Sequence, residues 1–168
     1  MTQPAPTPSP TPVANGFNPL AGVFAIAVPG LGHVFLGQFR RGMLVALGVL
    51  GLFFSGLLIG GIDAVDKEED TLWFFGQAPV GVVTFATNYI HQSKYKGIDP
   101  NLRAAPRRMA GPTESINASG IIVPGGTPGA QRSLARVHDM GILFTVVAGL
   151  LNVLAAIDAT FPPLNRKA

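Results

Sequence analysis

Three histidines, His33, His91 and His138, and one dense acidic stretch, Asp63-Ala64-Val65-Asp66-Lys67-Glu68-Glu69-Asp70, are the residues best equipped for site chemistry. Neutral imidazole is the commonest side-chain metal ligand and also ligates haem. Three converging histidines beside Asp139 would therefore suit a divalent metal, and two of them would suit haem. Against this, no two histidines stand four apart on one helix, and interfacial histidines also serve simply as hydrogen-bond partners for loop carbonyls and lipid headgroups. The acidic stretch offers hard oxygen donors, yet it lacks the Asp-x-Asp-x-Asp-Gly spacing of a calcium loop, so a solvated turn is the simpler expectation. With no cysteine, the chain has no disulfide, thiolate metal site or thiol nucleophile. Serine elbow, phosphate-binding lysine loop and His-Glu zinc motif are missing as well. The reading is therefore no catalytic residue, no metal ligand and no resident cofactor, with haem or a divalent metal on the three histidines as the alternative.

The elements that must position these groups are apolar. Of the 168 residues, 48% are hydrophobic and only 12% charged, against a usual charged share near 25%; mean hydropathy is +0.38. Residues 1–16 carry five prolines and no charge, and read as an extended, disordered tail. Only Arg40 and Arg41 interrupt the uncharged chain before Asp63, and Gly42 to Ile62 gives 21 uncharged residues. As a helix that run is about 31 Å long, the thickness of a bilayer hydrocarbon core. Leu20 to Leu36 is shorter, at 17 residues, and contains Pro29, which predicts a kink near Ala25 to Pro29. Thr71 to Ser93 and Met140 to Ile157 add 23 and 18 uncharged residues, and Asp158 marks the end of the last run.

Pro29-Gly30-Leu31-Gly32-His33, Leu36-Gly37 and Gly42 resemble the hairpin signature of the two-transmembrane-helix (TM-two) domain family, found in small bacterial integral membrane proteins. The resemblance covers about a quarter of the chain. It implies architecture, two short spans joined by a tight turn at Arg40-Arg41, and no particular activity.

The expected organisation is an all-α, integral membrane, four-transmembrane-helix bundle. Its parts are the tail 1–16, a membrane hairpin 17–62 (spans one and two), an acidic outer turn 63–70, span three 71–93, a basic Gly/Pro-rich loop 94–137, span four 138–158 and a short tail 159–168. Lysine and arginine concentrate in cytoplasmic loops. Placing the Arg40-Arg41 turn and the 94–137 loop inside puts nine of the twelve basic residues there, leaves Lys67, Arg166 and Lys167 outside, and directs both termini outward. This threading gathers all three histidines at the inner face. It also accounts for the net charge of +3 and pI near 9.7, so anionic lipid headgroups are the expected partner of the basic loop and nucleic acid is not.

Helices in lipid associate through small residues and polar contacts, because lipid is as apolar as leucine. Gly48 and Gly51 with the Gly56-x-x-x-Gly60 pair give span two such a seam. Gln77, Gly81, Thr84, Asn88 and His91 on span three match Asn152, Ala148, Thr145, Gly141 and His138 on span four, rung for rung, when the two run antiparallel. The expected role is structural or accessory: a small multi-pass subunit or scaffold of the cell membrane, docking a membrane-protein partner or a second copy of itself. A haem- or metal-binding redox subunit and an oligomeric channel or carrier are the alternatives.

Overall fold

The computed structural model describes residues 16–102, 107–127 and 136–162. The expectations for the proline-rich tail before Gly16, for Arg103 and Arg132, and for the tail beyond Pro162 lie outside those residues. The described chain is mostly helical: α1 Pro19–Ala27, α2 Leu31–Phe35, α3 Phe39–Gly60, α4 Thr71–Gln77, α5 Val82–Ile90 and α6 Arg136–Thr160.

Helices α3 and α6, of 22 and 25 residues, are each long and apolar enough to cross a membrane. They are antiparallel. At one end Gly60 lies against Gly141, where a Cβ on Gly60 would come within 2.8 Å of the Gly141 Cα, and a Cβ on Gly56 would come within 2.7 Å of the Gly141 carbonyl. At the other end Arg41, in the first turn of α3, is ion-paired with Asp158 near the end of α6. The outer flank of α3 is greasy, with Leu44, Leu47 and Leu58 strongly exposed, while the buried apolar core is a small set around Val49, Phe53, Val65, Phe74, Val80 and Ala148.

Each of the other two apolar runs is broken into short helices. The first is two short helices folded back on each other at Val28-Pro29-Gly30. Gly32 of α2 returns against Ala21 and Ala25 of α1, and the Phe24 and Phe35 rings stack at 5.0 Å. Proline ends α1, and Gly30, at φ +82°, takes a backbone conformation closed to most side chains, so the expected kink is a full reversal. Asn18 caps α1 by accepting from the Ala21 amide, and its own amide donates to Thr160 O at 2.8 Å. The α1–α2 hairpin thus starts and finishes at the Arg41–Asp158 end.

Residues 71–93, expected as one span, break in the same way. Helix α4 runs into a 3-10 turn, Ala78–Val80, reverses at Gly81 (φ +79°) and returns as α5. Pro79 inside this run and a glycine with positive φ end one helix and start another. Gly81 lies against the carbonyls of Ile26 and Ala27, where no side chain would fit. The two hairpins, entering from opposite ends, therefore meet tip to tip beside α6. In place of four long helices the described chain has two, α3 and α6, beside two returning hairpins.

The basic stretch expected as loop contains two small antiparallel hairpins. β1 Lys96–Ile98 pairs with β2 Arg107–Met109, and β3 Glu114–Ile116 pairs with β4 Ile122–Pro124, with an Ile98–Ile121 bridge between them. The Glu-Ser-Ile and Ile-Ile-Val runs flanking Asn-Ala-Ser-Gly are a legible hairpin signal. Asn117 Oδ1 sets the turn by accepting from the amides of Ser119 and Ile121. Arg108 holds the module together, donating to Asp99 at 2.6 Å and forking onto Glu114 at 2.6 and 2.9 Å.

Candidate functional site

Helix α3 ends at Gly60, and the chain turns through Gly61 into a single 3-10 turn, Ile62–Ala64. This turns Asp63 and Asp66 inward with Ala64 and Val65, and all four are buried. From the other side, α5 loosens into a π turn, His91–Tyr95, at the base of the returning hairpin. π turns widen a helix and redirect a side chain. Here the turn carries His91, fully buried, between the two aspartates: Nε2 is 3.5 Å from Asp63 Oδ1 and Nδ1 is 3.9 Å from Asp66 Oδ2. Both distances exceed a hydrogen bond, and neither ring nitrogen has a hydrogen-bond partner.

Asp66 is the better anchored of the pair. Its Oδ1 accepts from the amides of Glu68 and Glu69 and from Gln92 Nε2, and its Oδ2 meets the Lys96 ammonium at 2.5 Å. Burial pushes the Asp66 carboxyl up, but the lysine and the two amides outweigh it and leave the group below the ordinary carboxylate range. Lys96 is the converse case. Burial alone would lower it, whereas hydrogen bonds to Asp66 and to Glu69, at 3.0 Å, hold it above the usual lysine value. Thus the centre holds a lysine on Asp66 and, between Asp66 and Asp63, an imidazole with no hydrogen bond at either nitrogen. His138, at the start of α6, completes the rim, with Nδ1 3.3 Å from Gly60 O and Nε2 3.9 Å from Asp63 Oδ2.

The three histidines do not converge. His33 is 1% exposed at the opposite end of the molecule, bonded through Nε2 to Asp158 at 2.9 Å, in a group that Arg41 completes. A set built from His33, His91 and His138 is therefore corrected: α2 returns to the end where α1 began, which carries His33 away from the other two. The acidic stretch is also no fully solvated turn, since Asp63 and Asp66 are 2% and 1% exposed.

Between the two ends lies a set of buried polar side chains. Gln77 Nε2 donates to Ala64 O at 2.8 Å and to Thr145 Oγ1 at 2.9 Å, and Thr84 donates back to Gln77 O at 2.9 Å. Asn152 Nδ2 donates to Ala25 O at 2.8 Å and Pro79 O at 2.7 Å, one carbonyl from each hairpin tip. Residues expected to meet rung for rung are thus in contact along α6 with a different register. Gln77 meets Thr145 in place of Asn152, Gly76 packs on Val146 and Gly149, and Asn88 accepts from the Lys67 amide in place of touching Gly141. The reversal at Gly81 is the reason, because it folds the lower half of the seam back over the upper. Gly48 and Gly51 face outward with nothing within 4 Å of an added Cβ, and Ala148 sits in the apolar core.

From sequence alone Asp63 and Asp66 read as charges of a solvated turn and Lys96 as part of the basic loop. The available signal is the apolar Ala64-Val65 pair between two aspartates three apart directly after a long apolar helix, where both carboxylates tuck under the helix end.

The model of a family of unknown function, DUF6677, matches residues 20–168. No curated protein and no solved structure gives a significant match.

Proposed function

We propose that this chain, which belongs to the DUF6677 family, is an integral protein of the cell membrane that passes a small cation between the two hairpin mouths. In this reading α3 and α6 cross the bilayer, and the α1–α2 and α4–α5 hairpins are re-entrant. The observation that carries it is His91, fully buried between Asp63 and Asp66 at the base of one re-entrant hairpin. Buried ionisable groups are costly, and at the mouth of a membrane bundle they are candidates for binding or relaying ions and protons. Broken helices inside a bundle are tolerated where their backbone is buried in protein or faces a cavity. Asn152 supports the same reading, since its amide joins both hairpin tips about 12 Å, eight helical residues, from one end of α6.

Orientation follows from charge. Of the described basic residues, Lys67, Lys94, Lys96, Arg107, Arg108 and Arg136 belong to the β-hairpin end and Arg40 and Arg41 to the other, which supports a cytoplasmic β-hairpin end facing anionic lipid headgroups. The test is reconstitution in liposomes carrying a pH dye or a divalent-cation dye. Uptake above that of protein-free vesicles, lost on Asp63→Asn or His91→Gln, is expected; no uptake of protons or divalent cations overturns the reading.

A second reading, an accessory subunit or scaffold, is favoured by the open Gly48-Gly51-Ser55 face of α3, which no described residue covers. A cysteine at Gly48 that cross-links to a second copy in native membranes supports that role, and failure to cross-link to any protein counts against it.

A further inference from the structure

Within this cation-handling reading, we infer that Asp63, Asp66 and His91 form a binding site for a divalent first-row metal ion, with Lys96 as the built-in cation that the metal displaces from Asp66. Each of the three residues offers one ligand atom, and these atoms all lie within 4.8 Å of one another. All three side chains are buried. Acidic clusters are common without any ion, so His91 is what distinguishes this one. An imidazole with no exposed surface and no hydrogen bond at either nitrogen gives up its bonds to water, and here it does so with one nitrogen turned toward each carboxylate.

The spacing suits metal chemistry. Two ligands held at about 2.0–2.1 Å from a tetrahedral ion stand about 3.4 Å apart, and His91 Nε2 and Asp63 Oδ1 already stand 3.5 Å apart. Asp66 Oδ2 lies 3.9 Å from the other ring nitrogen, Nδ1, so joining the ion requires Asp66 to move an oxygen away from the lysine, within a set whose ligand atoms already lie within 4.8 Å of one another. The donor set, one imidazole and two carboxylates, selects Zn2+, Mn2+ or Fe2+ over Cu+, which prefers sulfur, and over Mg2+, which prefers oxygen alone and retained water. The charges fit as well. Asp66 and the partly exposed Glu69 already hold the Lys96 ammonium, and a divalent ion on the His91 side would neutralise Asp63 and Asp66 while Lys96 keeps its contact with Glu69 at 3.0 Å.

Two consequences separate this site from an acidic patch. Removing the imidazole abolishes tight binding, and removing the lysine strengthens it by deleting the competitor. The experiment is titration of detergent-purified, metal-stripped full-length protein with Zn2+ and with Mn2+, read by calorimetry and by metal content after dialysis. One ion per chain is expected. His91→Gln should weaken binding by more than the 10–100-fold typical of losing a mere supporting partner, Lys96→Gln should tighten it, and His33→Gln should leave it unchanged. Wild-type protein that retains neither metal, or a folded His91→Gln protein with wild-type affinity, overturns the site. If His91→Gln does not fold, X-ray absorption of the wild-type Zn2+ complex decides: one imidazole in the shell supports the assignment and none overturns it. Proton uptake by liposomes without metal binding would sink this site and leave ion passage standing, while metal binding without any uptake would do the reverse.

Discussion

At the scale of single residues, the buried polar groups divide into those that complete the fold and those that await something. Asn152 belongs to the first kind. Its two donors satisfy Ala25 O and Pro79 O, carbonyls freed because each hairpin breaks its helix at that depth. An unsatisfied buried polar group costs about 1–3 kcal/mol, so Asn152→Ala should destabilise the protein by about 2–4 kcal/mol in thermal unfolding in detergent. A loss under about 0.5 kcal/mol would mean that the tips find other partners. Arg108 and Glu114 are also of the first kind. The forked pair holds Glu114 at about 2, far below its ordinary 4.5. A carboxyl depressed in the folded state contributes its stabilisation above the unfolded value and loses it as pH falls toward the folded one. Methyl resonances of Ile116 and Ile122 should therefore hold their positions from pH 7 to 5 and shift between about pH 4.5 and 2; a transition above pH 5 would contradict the assignment. His91 is of the second kind, and the lack of a hydrogen bond at either ring nitrogen is what points to a ligand.

At the scale of elements, the decisive feature is that two of the four apolar runs break and reverse. Both reversals use the same chemistry, a proline that stops one helix and a glycine with positive φ that starts the next: Pro29-Gly30 and Pro79 with Gly81. Gly81 bears two constraints at once. Its backbone conformation is strained for any L side chain, and the Ile26 and Ala27 carbonyls occupy the space a Cβ would need. Gly81→Ala should cost at least about 2 kcal/mol and loosen the contact between the hairpin tips, whereas Gly48→Ala, on an open helix face, should gain up to about 1 kcal/mol. Comparable melting temperatures for the two variants would refute the tip-to-tip packing. The β-hairpins show the same lesson in smaller form. The Ile and Val residues that flank the Asn117 turn are readable as a hairpin even in a segment this rich in Gly and Pro.

At the scale of the whole molecule, the arrangement sets which segments share a face. Gly37 and Gly16 lie at the Asp158 end, while Lys67 and Ser119 lie at the opposite end with the β-hairpins. Because the chain has no cysteine, single cysteines at these four positions can be probed with an impermeant thiol reagent in intact cells. Labelling should fall into two groups, Gly16 with Gly37 and Lys67 with Ser119. If Gly37 and Ser119 were labelled together, the threading in which Arg40-Arg41 and the basic loop share one side would be restored. Composition and hydropathy by themselves determined that the chain is dominated by apolar helices, that α3 and α6 are long enough to cross a bilayer, and that no cysteine chemistry is available, because these properties are sums over residues and need no neighbours. The path of the chain was decided only in three dimensions. A 17- or 23-residue apolar run is equally suited to one crossing or to a hairpin, and the choice rests on whether a distant side chain, here Asn152 of α6, can take up the carbonyls that a reversal exposes. The same holds for charge: whether Asp63 and Asp66 face water or an imidazole depends on where α5 ends, which no local pattern states.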